Sequence, residues 1–199
     1  MAPDVQSVTF DDVAFRYSDY DVPLWARANT RGGRWHRART EATQYLSLSV
    51  DGSWTELVRW ESLRKLEELR LVRMPMWVLH IRESRLADYR TFEQADAAGF
   101  PPEAFVDEDY TRCQEEGERL RAAGFRGVLA PSASCPGEVN LTLFGPRIAV
   151  GWDTVQMKLL ASFVPTKQLA VGHPPEEVLT RVRYLGEAHS GLAAFRATK

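Results

Sequence analysis

Strand-length and helix-length segments follow one another irregularly along this chain, and their order limits its fold more than any other feature. Short alternating or apolar runs predict strands at residues 8–17, 43–49, 76–81, 127–130, 139–144, 148–151 and 155–164. Helical patterns lie at residues 53–70, 107–123 and 174–183, and residues 86–106 look like an irregular connection with short helical turns. Because no strict strand–helix–strand rhythm repeats, we expect an α+β fold with a mixed β-sheet core and flanking helices.

The first helical pattern is the clearest in the sequence. Ser53 and Glu56 have the spacing of a capping box, and apolar residues then recur on one face as far as Arg70. We therefore expect one amphipathic helix that begins at Ser53. In the helix that follows, Gly124 is placed to end the last turn.

Composition narrows the class of protein. The 199 residues are 44% hydrophobic, which favours a single domain over residues 1–199. A formal net charge of −2 shows no excess of basic residues that would indicate binding to nucleic acid or to an anionic membrane. The start of the sequence lacks the pattern of a signal peptide, and no apolar run approaches the roughly 18 residues of a membrane span. Two cysteines and four scattered histidines predict no metal site, and together these features favour a reduced, cytoplasmic protein.

Polar residues recur at element edges in the N-terminal part of the chain. Arg16 and Tyr17 end the first predicted strand, and Arg34, Tyr45 and Glu56 follow at equal steps of 11 residues. Arginine and glutamate are rarely buried unless paired, so this set is unusual for a structural core. We expect these side chains to meet in one pocket for an anionic, aromatic ligand.

Each of these residues, and Ser132 further along, also has a purely structural interpretation that the sequence leaves open. The alternatives are a capping acid for Glu56, surface ion pairs for Arg16 and Arg34, core aromatics for Tyr17 and Tyr45, and a turn residue for Ser132.

Six short motifs, in this order, resemble the RES-domain family, which is found mostly as the toxin half of bacterial RES–Xre toxin–antitoxin pairs. They are Phe-Arg-Tyr (15–17), Gly-Gly-Arg-Trp (32–35), Gln-Tyr-Leu-Ser (44–47), Thr-Glu-Leu (55–57), Ala-Ala-Gly-Phe-Arg-Gly (122–127) and Asn-Leu-Thr-Leu-Phe (140–144). The resemblance covers about residues 14–147. Residues 152–199 are then a C-terminal extension, which we expect to pack on the same domain.

The resemblance implies an ADP-ribosyltransferase-like fold that acts on NAD as a substrate, with no prosthetic group. It implies catalytic roles for Glu56, Arg16 and Ser132. The ligand contacts that it implies are pyrophosphate binding by Arg16 and Arg34, stacking on nicotinamide by Tyr17 and Tyr45, and a phosphate, ribose or acceptor contact by Ser132. It also implies a partner, an Xre-type antitoxin whose tail would fill the pocket. A homo-oligomer is compatible with the sequence.

The chemistry of NAD agrees with these residue types. Loss of neutral nicotinamide leaves an oxocarbenium ion on the ribose, which a fixed carboxylate stabilises, and a guanidinium fork suits a pyrophosphate. The reaction stays open between NAD hydrolysis or phosphorolysis, protein ADP-ribosylation, and NAD or nucleotide binding with weak turnover in a regulatory protein. Many family members carry an arginine two residues after the serine, where this chain has Ser134. We therefore expect one anion contact to be absent or to come from Arg126 or Arg147.

Overall fold

The computed structural model describes residues 5–151 and 162–199. The strands within this part of the chain are β1 (Ser7–Tyr17), β2 (Thr43–Ser47), β3 (Met74–Asp88), β4 (Gly127–Pro131), β5 (Val139–Phe144), β6 (Arg147–Gly151) and β7 (Ser162–Gly172). The helices are α1 (Val50–Trp60), α2 (Leu66–Leu71), α3 (Phe92–Ala97), α4 (Thr111–Ala122), α5 (Val178–Arg181) and α6 (Ser190–Ala197), with a 3-10 turn at Pro102–Phe105.

Five strands close into a small ring. They are hydrogen-bonded in the order β1, β2, β5, β4, β3, and β3 pairs again with β1. The β3–β4 pair is parallel and the other pairs of the ring are antiparallel. On its other edge, the first half of β3 pairs with β7, which in turn pairs with β6. The molecule is therefore an α+β protein with a mixed sheet, as predicted.

The ring is weakest between β1 and β2. These strands share one paired position, Phe15 with Ser47, whereas β1 runs beside β3 from Ser7 to Tyr17. The end of β1 and the end of β2 therefore separate at one side of the ring. Residues at these two strand ends line a cavity.

Apolar side chains fill the ring, and every strand of it contributes. Ala14, Leu46, Leu79, Leu129 and Leu141 are all at most 4% exposed and belong to one cluster. A ring of so few strands leaves no room for a channel, so its interior is a packed core.

Helices cover the ring on two sides. Aromatic residues of α3, the 3-10 turn and α6 pack together with Trp35 and Tyr89 in one cluster. A second cluster joins α1 and α2 to α5 through Leu57, Leu69 and Val178, each at most 1% exposed. The C-terminal extension, through α5 and α6, thus shares both helical cores. Within the described residues, no helix is both long and apolar enough to cross a membrane.

The structure corrects several predicted elements. The single helix predicted over 53–70 is two helices, and α1 begins three residues earlier than expected, because Ser49 caps it by accepting a hydrogen bond from Gly52 N. β3 extends well beyond the predicted 76–81 because it pairs with three other strands. Most of the strand predicted at 155–164 lies outside the described residues, and the observed β7 runs to Gly172. Helix α6 was not predicted.

Candidate functional site

A large cavity opens beside the seam between β1 and β2. Its volume is about 1510 Å³, which exceeds the roughly 300–1,000 Å³ of ordinary small-molecule pockets. Residues from the ends of β1 and β2 and from one face of α1 line it. All five residues of the predicted N-terminal set are among them: Arg16, Tyr17, Arg34, Tyr45 and Glu56.

Arg16 lies one residue before the end of β1, opposite Trp77 of β3. Its guanidinium stacks on Trp25 at 5.2 Å, but its buried Nη1 has no hydrogen-bond partner among the described residues. Burial lowers the pKa of this guanidinium to about 10, so the group stays charged at neutral pH. A buried cationic donor without an acceptor is costly, and it marks the place where an anion would be bound most strongly.

Glu56 points from α1 into the same cavity. Its Oε1 accepts hydrogen bonds from Asn140 Nδ2 at 2.6 Å and from Ser132 Oγ at 3.2 Å. Because Ser49 caps α1, Glu56 is not the capping acid of this helix. Ser53, the other half of the expected capping box, instead accepts a hydrogen bond from Tyr17 N at 3.1 Å and ties α1 to the end of β1.

Ser132 lies behind Glu56 and does not line the cavity. It is 0% exposed, and its Oγ accepts hydrogen bonds from Ser134 N at 3.2 Å and Cys135 N at 3.1 Å in addition to donating to Glu56. In this structure the hydroxyl of Ser132 is covered, and it makes hydrogen bonds to Glu56 and to the backbone of its own loop.

Tyr45 is fixed by its hydroxyl. Trp35 N donates to Tyr45 Oη at 2.9 Å, and His36 Nδ1 lies 2.8 Å from the same atom. His36 Nε2 must donate to the carbonyl of Arg31 at 3.0 Å, so Nδ1 is the acceptor of the Tyr45 hydroxyl proton. Burial lowers the pKa of His36, which keeps the ring neutral in this role, and burial raises the pKa of Tyr45. His36 also lines the cavity.

Tyr17 lies between the cavity and the core. Its side chain packs against the cluster around α1 while also lining the cavity. Its pKa is raised, first by burial and then by the negative charge of Glu56. The ring is thus close enough to Glu56 for the two groups to interact electrostatically.

Arg34 is already engaged by the protein. Its Nη1 donates to the carbonyls of Ala104 at 3.0 Å and Asp107 at 2.8 Å, and its guanidinium stacks on Tyr110 at 4.4 Å. Arg34 therefore holds the segment before α4 at the edge of the cavity. Its hydrogen-bonding capacity is partly used, so Arg16 is the better candidate for a ligand contact.

Sequence reasoning missed Asn140, the strongest partner of Glu56. Asn140 pairs with Ser47 across β2 and β5, and Ser47 Oγ donates to Asn140 Oδ1 at 3.0 Å. This bond turns the amide so that Nδ2 faces Glu56. Asn140 opens the Asn-Leu-Thr-Leu-Phe motif and alternates with buried leucines, so its position on the polar face of β5 was a usable signal.

The cavity is rich in arginine. Its described lining residues include six arginines and four acids, of which Arg59 and Glu108 form an ion pair at 2.7 Å. Arg147 lines it as well, but Arg147 donates to Glu83 and to the carbonyls of Phe144 and Pro146. The other residue expected to replace the missing arginine, Arg126, pairs with Glu83 and is not part of the lining. In the described parts of the chain, no cluster of three or more His, Cys, Asp or Glu side chains is placed to hold a metal ion.

The fold and the cavity together define a class of protein: a small mixed barrel with flanking helices, whose cavity is lined by arginines and by a carboxylate held by two donors. Residues 11–157 match the family model of the RES domain. The chain belongs to the RES-domain family, and the resemblance seen over residues 14–147 is confirmed.

The structure is also similar to a chain of the MbcT–MbcA toxin–antitoxin complex of M. tuberculosis. The TM-score is 0.54 at 22% identity, and the alignment covers 70% of this chain and 76% of that chain. At this identity the similarity concerns the fold. None of the curated proteins matches the sequence.

Proposed function

We propose that this RES-domain protein cleaves the nicotinamide–ribose bond of NAD on an ADP-ribosyltransferase-like fold. The single observation that carries the proposal is the pairing, in one cavity, of an unpartnered buried guanidinium with a held carboxylate. Arg16 offers the anion contact, and Glu56 offers a fixed negative charge in the lining of the same cavity. NAD has both matching parts, a pyrophosphate and a ribose that becomes cationic during the reaction.

The cleavage needs little from the enzyme apart from charge and position. The bond from ribose C1′ to nicotinamide breaks with both electrons going to the pyridine nitrogen, so the leaving group departs neutral and needs no acid. The ribose is left as an oxocarbenium ion, which the Glu56 carboxylate stabilises electrostatically. An acceptor oxygen then bonds to C1′: water does so and releases one proton to the solvent, whereas phosphate attacks through an anionic oxygen that has no proton to lose.

The surroundings of Glu56 support this role. Asn140 and Ser132 both donate to Oε1, whereas Oε2 makes no hydrogen bond to any described residue and is left for the substrate. A carboxylate fixed before the substrate arrives does not have to reorient as charge develops. The aromatic rings of Tyr17 and Tyr45 line the same cavity, where they can contact the nicotinamide ring.

Family membership and the fold similarity support a biological setting for this activity. We propose that the protein is the toxin of a toxin–antitoxin pair, that it acts on NAD in the cytoplasm, and that an Xre-type antitoxin inhibits it by filling the cavity. The arginine excess of the cavity would favour an acidic or carboxylate-ended segment of such a partner.

Nicotinamide release from NAD tests the proposal, with Glu56→Gln as the central variant. Gln keeps the size of the side chain and can still accept from Asn140 and Ser132, but it lacks the charge, so release should fall by roughly 10²-fold or more while the melting temperature changes little. Glu61→Gln is the matched control, because Glu61 lines the same cavity at the end of the same helix. Equal activity of wild type and Glu56→Gln would refute the role of the carboxylate.

The same assay separates the acceptors. Release that needs phosphate indicates phosphorolysis, release in its absence indicates hydrolysis, and transfer of labelled ADP-ribose to a protein indicates an ADP-ribosyltransferase. Binding of NAD by the wild type without release would refute the enzymatic proposal and would support a binding protein.

A further inference from the structure

The loop behind Glu56 is held by residues near the C-terminus. We call residues 132–138 the serine loop. Three consecutive carbonyls of this loop accept hydrogen bonds from the C-terminal extension: Ser132 O from His189 Nε2 at 3.1 Å, Ala133 O from Arg183 Nη1 at 3.3 Å, and Ser134 O from Arg183 N at 2.8 Å. Arg183 and His189 are 9% and 5% exposed, so these bonds are largely shielded from water.

On its other side, the serine loop contacts α1 at Glu56, the proposed catalytic carboxylate. Ser132 Oγ donates to Glu56 Oε1, and Ser134 Oγ lies 3.2 Å from Thr55 Oγ1, the neighbouring residue of the helix. The loop is thus a layer between Glu56 and the C-terminal extension. Any shift of its backbone would move the hydroxyl that holds the carboxylate.

The C-terminal extension also contacts the elements that adjoin the serine loop. Arg181 bonds to Asp51, in the first turn of α1, and to Glu138 at 2.6 Å, at the end of the serine loop. Arg183 Nη1 additionally donates to Val106 O at 3.1 Å. The C-terminal extension therefore joins the segment before α4 to α1, which carries Glu56, and to the serine loop, which donates a hydrogen bond to Glu56.

We propose that His189 and Arg183 are positioning residues of the active site, acting through the serine loop on Glu56. Both lie beyond residue 157, where the match to the family model ends. In this chain the site would therefore be completed by residues outside the matched region. The kinetic test of this inference rests on the proposed function. The contacts from which the inference is drawn do not depend on that function.

His189→Asn separates positioning from stability. His189 Nδ1 caps α6 by accepting a hydrogen bond from Leu192 N at 3.1 Å, and asparagine is among the best N-cap residues, so the variant should keep the cap. Its shorter side chain does not extend to Ser132 O. Because a misplacement of about 1 Å can cost about a hundredfold in rate, we expect kcat to fall by roughly ten- to a hundredfold. KM for NAD should stay within about twofold, since Arg16 is untouched.

Thr91→Asn is the matched control. Thr91 caps α3 by accepting a hydrogen bond from Gln94 N, so this exchange also places asparagine at a helix start, but the hydrogen bonds of Thr91 to described residues do not include the serine loop. Its kcat should equal that of the wild type.

If His189→Asn proves too unstable, Arg183→Lys is the second variant. It keeps the positive charge but not the fork that bonds Val106 and Ala133 together, and kcat should fall again.

Amide hydrogen exchange gives a readout that does not need turnover. The N–H groups of Ser134 and Cys135 both donate to Ser132 Oγ, so loss of the His189 contact should speed their exchange and leave that of β1 and β3 unchanged. Unchanged kcat and unchanged exchange at both amides would overturn the inference. If the wild type releases no nicotinamide, the proposed function is wrong, but hydrogen exchange still tests the inference. Faster exchange of the Ser134 and Cys135 amides in His189→Asn supports the role of His189 in positioning the loop, and unchanged exchange refutes it.

Discussion

Arg16 is predicted to weaken the free protein while enabling it to bind its ligand, and replacing it by methionine tests both parts. The side chain is a half-buried cation, and its buried Nη1 has no acceptor among the described residues. Methionine keeps an unbranched chain of similar reach and removes the charge. If the arginine is present for an anion rather than for the fold, Arg16→Met should raise the stability of the free protein and abolish binding of NAD.

The size of the effect follows from the pKa. Burial lowers the pKa of Arg16 from its ordinary value to about 10, which corresponds to an upper value of about 3 kcal/mol against the charged form. The stacking of the guanidinium on Trp25 is lost in the variant, at a cost of about 1 kcal/mol. A net gain of about 2 kcal/mol in the free energy of unfolding remains, which for a chain of this length raises the melting temperature by about 4–8 °C.

Thermal denaturation of the free and NAD-bound protein is the assay, with Glu56→Gln as background so that NAD is not consumed. NAD at about a hundred times its Kd should stabilise that protein by about 2.7 kcal/mol, and the stabilisation should vanish when Arg16→Met is added.

Arg147→Met is the contrasting control. Arg147 is also a buried arginine of this cavity, but Glu83 and two backbone carbonyls partner it. Removing one member of a buried pair costs about 3–5 kcal/mol, so this variant should melt about 6–20 °C lower. A lower melting temperature for Arg16→Met, together with undiminished stabilisation by NAD, would refute the reasoning.

Two further predictions concern the group around Tyr45. Tyr45→Phe leaves the Trp35 N–H and His36 Nδ1 without their shared partner, so the free energy of unfolding should fall by about 1–3 kcal/mol in urea titrations; no change would show that water replaces the hydroxyl. Because burial lowers the pKa of His36 and of His189 below 6.5, the unfolded chain binds more protons than the folded one as the pH falls through 6.5. Stability should therefore be highest above pH 6.5 and decrease below it, and His36→Gln should reduce this slope; an unchanged slope would exclude His36 as a source.

Most of the fold could be predicted from local patterns, and the failures have physical causes. The ring strands carry alternating or continuous apolar patterns because each of them packs side chains into a closed apolar interior. The start of α1 was misplaced because Ser49 and Ser53 are both good capping residues, and the choice between them is made by tertiary contacts such as the bond from Tyr17 N to Ser53. Helix α6 is capped by a histidine, which is not a usual capping signal.

The residues of the candidate site also differ in how well the sequence predicts them. The residues that line the cavity could be found, because arginine, tyrosine and glutamate at strand and helix edges are chemically conspicuous. The layers behind them could not, because the contact of His189 with Ser132 spans 57 residues and joins a side chain to a backbone carbonyl, which carries no sequence signal. The burial of Ser132 was likewise invisible, since a serine after Pro131 reads equally well as a turn.

The hold of Arg183 and His189 on the serine loop has a consequence for the order of synthesis. A ribosome makes the chain from its N-terminus, so Arg16, Glu56 and Ser132 are all translated before either of these residues. A nascent chain can close its ring of strands while the loop behind Glu56 still lacks three of its bonds. The carboxylate acquires its full support only after residue 189 has been translated, so the assembled centre forms later than the strands that carry its lining.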